Sequence, residues 1–220
     1  MKLCLLHTAP HLAAMFDGLL REHQPDVTAF HMVDESLLRD TIAHGLLPRT
    51  RRRVASYAAN AVESGAEAVL VTCSSIGEAA EGARALVDVP VYRVDAPMAA
   101  EAVAAGQRIG VLATLSSTLG PTQRLIEREA AAQGVARTVL TSVCDGAFAA
   151  LRSGRADEHD AMIRAEAARL AAQTEVLVLA QASMARLIDT MPPGEVPVPV
   201  LSSPASGVRQ VSAETAKAVD

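Results

Sequence analysis

Short apolar runs alternate along the chain with longer segments whose apolar residues recur every three or four positions. Runs rich in Val, Leu and Ile predict buried strands, and the amphipathic segments between them predict helices. The predicted strands are residues 2–7, 27–31, 68–72, 90–94, 108–113, 137–143, 176–180 and 197–201. The predicted helices are residues 11–23, 34–44, 49–64, 75–86, 96–105, 118–133, 146–152, 157–173, 183–190 and 205–218. This alternation is typical of parallel sheets covered by helices on both faces, so we expect an α/β fold.

One strand-to-loop sequence occurs twice in the chain. The segments 67–77 and 175–185 align without a gap. The alignment pairs Glu67 with Glu175 and Ser75 with Ser183, which are identical, and Cys73 with Gln181, which differ. The repeat predicts two pseudo-symmetric lobes, each a four-stranded, mostly parallel sheet flanked by helices. We expect residues 1–95 and 203–220 to form the first lobe, carrying Cys73, and residues 96–202 to form the second, carrying Gln181. The repeated positions are then expected on opposite sides of one cleft.

Composition narrows the classes of protein to consider. Half of the 220 residues are hydrophobic but only 2% are aromatic, so the core must be built from Ala, Val, Leu and Ile. The net charge of −5 argues against nucleic-acid binding, and no apolar run approaches the roughly 18 residues that a membrane span needs. Three scattered cysteines without metal-binding spacing predict a reduced, cytoplasmic protein with no metal site.

Ligands of parallel α/β sheets bind at the carboxyl ends of strands, and polar residues follow several predicted strands. The residues at these strand ends are His7, Thr8, Cys73, Ser74, Ser75, Asp95, Thr114, Ser116, Ser117, Thr118, Cys144, Asp145, Gln181, Ala182 and Ser183. We therefore expect the functional site to be built from this set.

Cys73 ends an apolar strand and opens a predicted helix. The N-terminus of a helix lowers the pKa of a thiol, and a thiolate there can act as a base toward carbon or as a nucleophile. The alternative is a buried structural cysteine.

The segment Thr114 to Thr118 carries four hydroxyl groups at another predicted helix start. Hydroxyls and free N–H groups in this position form an anion cradle that suits a carboxylate. The alternative is ordinary helix capping by Ser or Thr.

His7 and Asp145 are the candidates for a second proton-transfer group. A neutral imidazole exchanges protons near pH 7, although a lone histidine is also a common structural residue. Asp145 can act as an acid or base, or cap the helix that follows it.

Taken in order, the motifs resemble those of the aspartate/glutamate/hydantoin racemase superfamily. They are His7-Thr8, Val71-Thr-Cys73-Ser-Ser75, Gly110-Val-Leu-Ala-Thr114 and Leu179-Ala-Gln181-Ala-Ser-Met-Ala185. The resemblance implies two α/β lobes, no cofactor, a homodimer, and a small carboxylate substrate deprotonated at its α-carbon by cysteines on opposite faces. It also implies that Cys73 is catalytic and that the carboxylate is held by Ser74, Ser75, Thr114, Ser117 and Thr118.

The chain departs from this pattern at Gln181, where the second cysteine of the family's racemases would stand. An amide neither gives nor takes a proton near pH 7. We therefore expect a cofactor-independent racemase- or epimerase-like enzyme with Cys73 as base or nucleophile. The alternatives are a decarboxylase or a cis–trans isomerase on the same scaffold, and a non-enzymatic carboxylate-binding protein. In any of these, Gln181 can hydrogen-bond a substrate carboxylate or carbonyl.

Overall fold

The computed structural model describes residues 1–192 and 194–217, with side chains up to Val211. Within these residues the chain forms two compact units. One consists of Met1–Pro97 and the chain from Pro204 onward, and the other of Met98–Ser203. Each unit contains its own sheet, and the prediction of an α/β fold with two four-stranded sheets is confirmed.

The sheet of the first unit has the strand order β2-β1-β3-β4, and every pair is parallel. Its strands are β1 (Lys2–His7), β2 (Thr28–Val33), β3 (Ala68–Val71) and β4 (Val91–Arg93). Its helices are α1 (His11–His23), α2 (Glu35–His44), α3 (Pro48–Glu63), α4 (Gly77–Ala83) and the start of α5 (Ala96–Ala105). Short 3₁₀ helices at Ser74–Ile76 and Arg84–Leu86 flank α4.

The sheet of the second unit has the matching order β6-β5-β7-β8, again with every pair parallel. Its strands are β5 (Arg108–Ala113), β6 (Thr138–Val143), β7 (Val176–Leu179) and β8 (Val200–Ser202). Its helices are α6 (Ser116–Ala132), α7 (Ala147–Arg152), α8 (Ala156–Ala171) and α9 (Arg186–Thr190), with a 3₁₀ helix at Ala182–Met184. The last helix, α10 (Ser203–Lys217), begins where β8 ends.

The central strands β3 and β7 are buried at every position. Their aliphatic side chains pack against alanines of the surrounding helices, such as Ala58 and Ala80 in the first unit and Ala99 in the second. Small alanine side chains let helices lie close to a sheet, which gives a dense core from a chain with few aromatics.

Two predicted helices are interrupted where sequence periodicity suggested one continuous element. The predicted helix 75–86 is a 3₁₀ helix, then α4, then another 3₁₀ helix, and 183–190 divides in a similar way around Ala185. The predicted strand 197–201 is also shorter, beginning at Val200, because Pro197 and Pro199 have no N–H group to donate to a neighbouring strand. Position 218 of the predicted last helix lies outside the described residues.

No helix in the described part of the chain is long and apolar enough to cross a membrane.

Candidate active site

The two repeated segments make equivalent hydrogen bonds in the two units. In the first unit the Glu67 carboxylate accepts a hydrogen bond from the backbone N–H of Lys2, at the start of β1. In the second unit the Glu175 carboxylate accepts from the backbone N–H of Arg108, at the start of β5, and from that of Gln107. Each glutamate therefore accepts backbone hydrogen bonds at the amino-terminal end of the first strand of its sheet. The residues compared below lie at the carboxyl ends of the strands.

Cys73 follows β3 in extended conformation and is the residue from which the first 3₁₀ helix begins. Cys73 is a partly exposed residue, whereas Cys4 and Cys144 are buried. The hydroxyls of Thr8 and Ser75 and the backbone N–H groups of Ser75 and Ile76 act on the sulfur as donors that lower its pKa. The Ile76 N–H also donates to the Cys73 carbonyl at 3.2 Å. Donors of this number and kind stabilise a sulfur that carries negative charge.

The Cys73 pKa corrects one sequence-based expectation. A helix N-terminus was expected to lower it, but burial raises it, and this desolvation outweighs the opposing hydrogen bonds from Thr8, Ser75 and Ile76. The helix involved is a three-residue 3₁₀ segment, so its aligned dipoles are few. The resting group is therefore a thiol, surrounded by donors that favour the thiolate once it forms.

The serines after Cys73 are buried in the same turn. Ser75 contributes two of the donors to the sulfur, and Ser74 lies between it and Cys73. Thr8, which directly follows β1, is also buried. The parallel pairing of β1 with β3 brings these two strand ends together, so the predicted residues Thr8, Cys73, Ser74 and Ser75 form one group.

His7 is fully buried at the end of β1, and both of its ring nitrogens are hydrogen-bonded. Nδ1 lies 2.8 Å from the Thr72 hydroxyl, and Nε2 lies 2.8 Å from Nδ1 of His31. Burial, with a smaller contribution from His31, lowers the pKa of His7 to about 4. The imidazole is therefore neutral near pH 7.

In the second unit Gln181 occupies the position that Cys73 holds in the first. Its Oε1 atom accepts two hydrogen bonds from Thr114, one from the backbone N–H at 2.5 Å and one from the hydroxyl at 2.9 Å. Thr114 follows β5 as Thr8 follows β1. In both units a threonine thus donates to the second residue after the third strand, and the amide oxygen of Gln181 takes the place of the sulfur.

The remaining residues of the predicted anion cradle lie at the start of α6. Leu115 is the N-cap of α6 and makes no side-chain capping bond. The alternative, that a Ser or Thr at this position is the N-cap, is therefore wrong. The Ser117 hydroxyl is buried with no hydrogen-bond partner, and Thr118 is buried beside it. One donor of the predicted anion cradle, the Thr114 N–H, is therefore already bonded to Gln181. The Ser117 hydroxyl is still available to bind a ligand.

Two further predicted binding residues, Ala182 and Ser183, lie in the 3₁₀ helix after Gln181 and are partly buried.

Asp145 lies beyond the end of β6, the outer strand of the second sheet, and is exposed. The N-cap of the next helix, α7, is Gly146, at a φ of 85°, with no side-chain capping bond. The alternative role of Asp145 as a helix cap is therefore wrong.

A buried ion cluster next to the Cys73 turn was not predicted. The Arg93 guanidinium donates to both carboxylate oxygens of Asp95, at 2.7 and 2.9 Å, and to Glu81 at 2.6 Å. It also lies against Gly77, the first residue of α4. The sequence feature that could have predicted this cluster is the arginine inside the apolar strand sequence Val91-Tyr-Arg-Val94. An arginine buried in a strand requires acidic partners.

His31 and Asp17 were also missed, because they are far from His7 in sequence and belong to no motif. Within residues 1–192 and 194–217, no group of three or more His, Cys, Asp or Glu side chains is arranged to hold a metal ion.

Comparisons with known proteins agree with this architecture. The structure is similar to an allantoin racemase from Klebsiella pneumoniae, with a TM-score of 0.73 and 17% identity over 99% of this chain and 89% of that one. It is also similar to a glutamate racemase from Bacillus anthracis, with a TM-score of 0.70 and 17% identity over 99% of this chain and 82% of that one. An aspartate racemase homologue from Pyrococcus horikoshii gives a TM-score of 0.65 and 13% identity, covering 98% of this chain and 99% of that one.

At these identities the structural likeness shows the fold. The comparison with curated protein sequences found no match. The family model for Asp/Glu/hydantoin racemases, however, matches residues 8–211, which is nearly the whole chain. The chain therefore belongs to the Asp/Glu/hydantoin racemase family.

Proposed function

We propose that the protein is a cofactor-independent, racemase- or epimerase-like enzyme that acts at the α-carbon of a small carboxylate or amino-acid derivative, with Cys73 as base or nucleophile. The observation that carries the proposal is the set of donors around the sulfur of one cysteine. Thr8, Ser75 and Ile76 all direct O–H or N–H groups at it. A structural cysteine needs no such set, whereas a thiolate formed during a reaction does.

The proposed chemical step is proton removal by the Cys73 thiolate. The C–H bond of the α-carbon breaks, an S–H bond forms, and the electron pair moves into the adjacent carbonyl or carboxylate group. Donors already in position around the sulfur lower the barrier to forming the thiolate, because they do not need to reorganise during the reaction. His7 and Asp145 are retained as proposed proton-transfer groups.

Carboxylate binding is proposed for each unit separately. In the first unit the proposed groups are Ser74 and Ser75. In the second unit they are Ser117 and Thr118, and the unpartnered, buried hydroxyl of Ser117 is the strongest support. Thr8, Thr114, Gln181, Ala182 and Ser183 complete the proposed substrate-binding set.

A second function, decarboxylation or cis–trans isomerisation, is favoured by the contacts of Gln181. Its oxygen is held by both donors of Thr114, and an amide cannot replace a proton-donating thiol. Chemistry that uses a single cysteine, either to deliver one proton to one face or to add to a double bond, needs no group of that kind.

Solvent deuterium exchange followed by NMR tests the proposal and separates these reactions. Amino acids, hydantoins and substituted malonates are incubated with the enzyme in D₂O. A racemase exchanges the α-proton for deuterium while producing the other enantiomer. A decarboxylase releases CO₂ and gives a single enantiomer, and an isomerase changes alkene geometry. Absence of exchange or turnover with every class would contradict the proposal.

The non-enzymatic alternative also has an observation in its favour, which is the raised pKa of the Cys73 thiol. A carboxylate-binding protein of this family would bind members of the same compound panel, measured by calorimetry, without converting them. Binding without turnover is the result that would favour it over an enzyme.

We further propose that the protein is cytoplasmic, works without a cofactor and forms a homodimer. Light scattering coupled to gel filtration tests the last point, and a mass near 23.0 kDa, that of one chain, would contradict it.

A further inference from the structure

A chain of hydrogen bonds runs from the buried end of β1 toward the surface of the first unit. The Thr72 hydroxyl lies 2.8 Å from His7 Nδ1, His7 Nε2 lies 2.8 Å from His31 Nδ1, and His31 Nε2 lies 3.0 Å from the Asp17 carboxylate. Thr72 and His7 are buried, whereas the side chains of His31 and Asp17 are 18% and 46% exposed. The two imidazole planes are nearly parallel, at an interplanar angle of 16° with ring centres 5.1 Å apart.

The protons in this chain can be placed by satisfying each donor and acceptor in turn. The Thr72 hydroxyl is within 3.1 Å of the Leu6 carbonyl and can donate to it. His7 then donates from Nδ1 to Thr72, and its bare Nε2 accepts from Nδ1–H of His31. Since Asp17 is an acceptor when ionised, His31 must donate from Nε2 as well, and it is an imidazolium ion.

A second arrangement contains one proton fewer. His31 is then neutral and donates only from Nε2 to Asp17, so its bare Nδ1 accepts from Nε2–H of His7. The bare Nδ1 of His7 must accept from the Thr72 hydroxyl, which turns away from Leu6. The Leu6 carbonyl remains satisfied, because it also accepts from the backbone N–H of Thr72 at 3.0 Å. The Thr72–His7 and His7–His31 bonds reverse, His31 still donates to Asp17, and no buried group loses its partner.

We propose that Thr72, His7, His31 and Asp17 form a proton relay in which His31 holds the proton against Asp17 while His7 changes tautomer. A proton taken up at Thr72 displaces the hydroxyl proton onto His7 Nδ1. The Nε2 proton of His7 then passes to His31 Nδ1, leaving the charge on His31. The relay begins at the same pair of strand ends as the proposed base, since Thr72 directly precedes Cys73 in the chain and β1, which carries His7, pairs with β3.

The surroundings of His7 favour a change of tautomer over a change of charge. The titratable groups that act on it are His31 from β2 and Asp17 and His11 from α1, and the Phe16 ring packs 5.5 Å from its centre. Burial lowers the pKa of His7 to about 4, so its cationic form is disfavoured near neutral pH. The partly exposed His31, in contact with a carboxylate, is the better place for the charge. His31 and Asp17 are thus positioning residues that act through His7.

The inference rests on the proposed function for its role in catalysis but is tested without it. Protein labelled with ¹⁵N-histidine is titrated by NMR, which distinguishes the Nδ1–H, Nε2–H and doubly protonated forms of each ring. We expect His7 to change from Nδ1–H to Nε2–H as pH rises, with the same midpoint at which His31 loses its proton. His7 keeping one tautomer throughout, or becoming charged before His31 does, would overturn the relay.

His31→Gln is the decisive variant, because glutamine keeps a hydrogen-bonding group at this position but does not titrate. The tautomer change of His7 is expected to be lost. Its persistence in His31→Gln would contradict the proposal even if the wild-type titration matched. The buried His159 of the second unit, bonded to Asp160 at 2.7 Å, is the internal control, and its signals should be the same in both proteins.

Activity then separates this inference from the proposed function. With a substrate in hand, His31→Gln is expected to remove the step in the pH–rate profile that coincides with the tautomer change of His7. An unchanged profile would overturn the catalytic role of the relay. Turnover that survives Cys73→Ala would instead overturn the proposed function and leave the NMR result standing.

Discussion

At the scale of single residues, the chemical difference between the two units is one sulfur against one amide oxygen. Cys73 accepts from Thr8, and Gln181 accepts from Thr114 at the matching place in the second sheet. The sequence repeat predicted that positions 73 and 181 correspond. It could not predict that Gln181 turns its oxygen toward Thr114, because an amide presents either end and only the folded loop decides which one is used.

The Thr8 hydroxyl is expected to control the ionisation of Cys73. Removing it in Thr8→Val takes away a hydrogen bond to the thiolate, which is worth about 1.5–3 kcal/mol, so the thiol pKa should rise by about 1–2 units. The measurement is the pH dependence of alkylation at Cys73, followed by mass spectrometry of the modified peptide.

Thr41→Val is the matched control for this experiment, because the buried Thr41 hydroxyl donates only within its own helix, to the Leu37 carbonyl. Its alkylation profile should equal that of the wild type. An unshifted profile in Thr8→Val would show that this hydroxyl does not support the thiolate.

At the scale of elements, several strands and helices were predicted to the residue. Examples are β1, α1 and β5, whose observed bounds match the sequence prediction. The segment after Cys73 was predicted as one helix but is divided at Gly77. A methyl group added there would lie 2.6 Å from Nη2 of Arg93, and that guanidinium is fixed by Asp95 and Glu81. Such a contact joins residues distant in sequence, so local periodicity carries no sign of it.

Gly77→Ala is therefore expected to destabilise the protein by about 1–3 kcal/mol, the usual cost of overfilling a packed site. Gly82→Ala in the same helix is the control, because nothing lies within 4 Å of the added methyl group. It should be neutral or stabilising by up to about 1 kcal/mol, since alanine has the higher helix propensity. Urea unfolding measures both values, and equal stabilities for the two variants would contradict the role given to Arg93.

At the scale of the whole molecule, the fold class and the duplicated strand order follow from the alternation of elements and from the repeat. The buried polar networks do not. His7 was predicted as a strand-end histidine, but its network includes His31 from β2 and Asp17 from α1. The parallel pairing of β1 with β2 brings His31 to His7, and the packing of α1 brings Asp17 to His31. The polar network around the site is thus a consequence of tertiary structure, although the residues nearest the sulfur were predicted.

The buried His7 should make the stability of the protein depend on pH. Its folded-state pKa of about 4 lies below the ordinary histidine value of 6.5, so between these two pH values the unfolded chain takes up a proton that the folded one does not. Stability is then complete above about pH 6.5 and falls as pH decreases toward 4, by up to about 3 kcal/mol. Urea unfolding at a series of pH values measures the slope.

The matched pair of variants for this slope is His7→Gln and His44→Gln, since His44 is exposed on α2. The difference in stability between pH 6.5 and pH 4 should shrink in His7→Gln and remain at the wild-type value in His44→Gln. A wild-type slope in His7→Gln would contradict the attribution to this buried ring.

The central claim, that Cys73 carries the chemistry, is tested most directly by α-proton exchange in D₂O with wild type, Cys73→Ala and Cys144→Ala. The buried Cys144 controls for the loss of a thiol as such. With a substrate identified in the exchange screen, Cys73→Ala is expected to lose at least about 100-fold in exchange rate, as when a general base is removed, while Cys144→Ala stays within a few-fold of wild type. An exchange rate in folded Cys73→Ala equal to that of wild type would contradict the account.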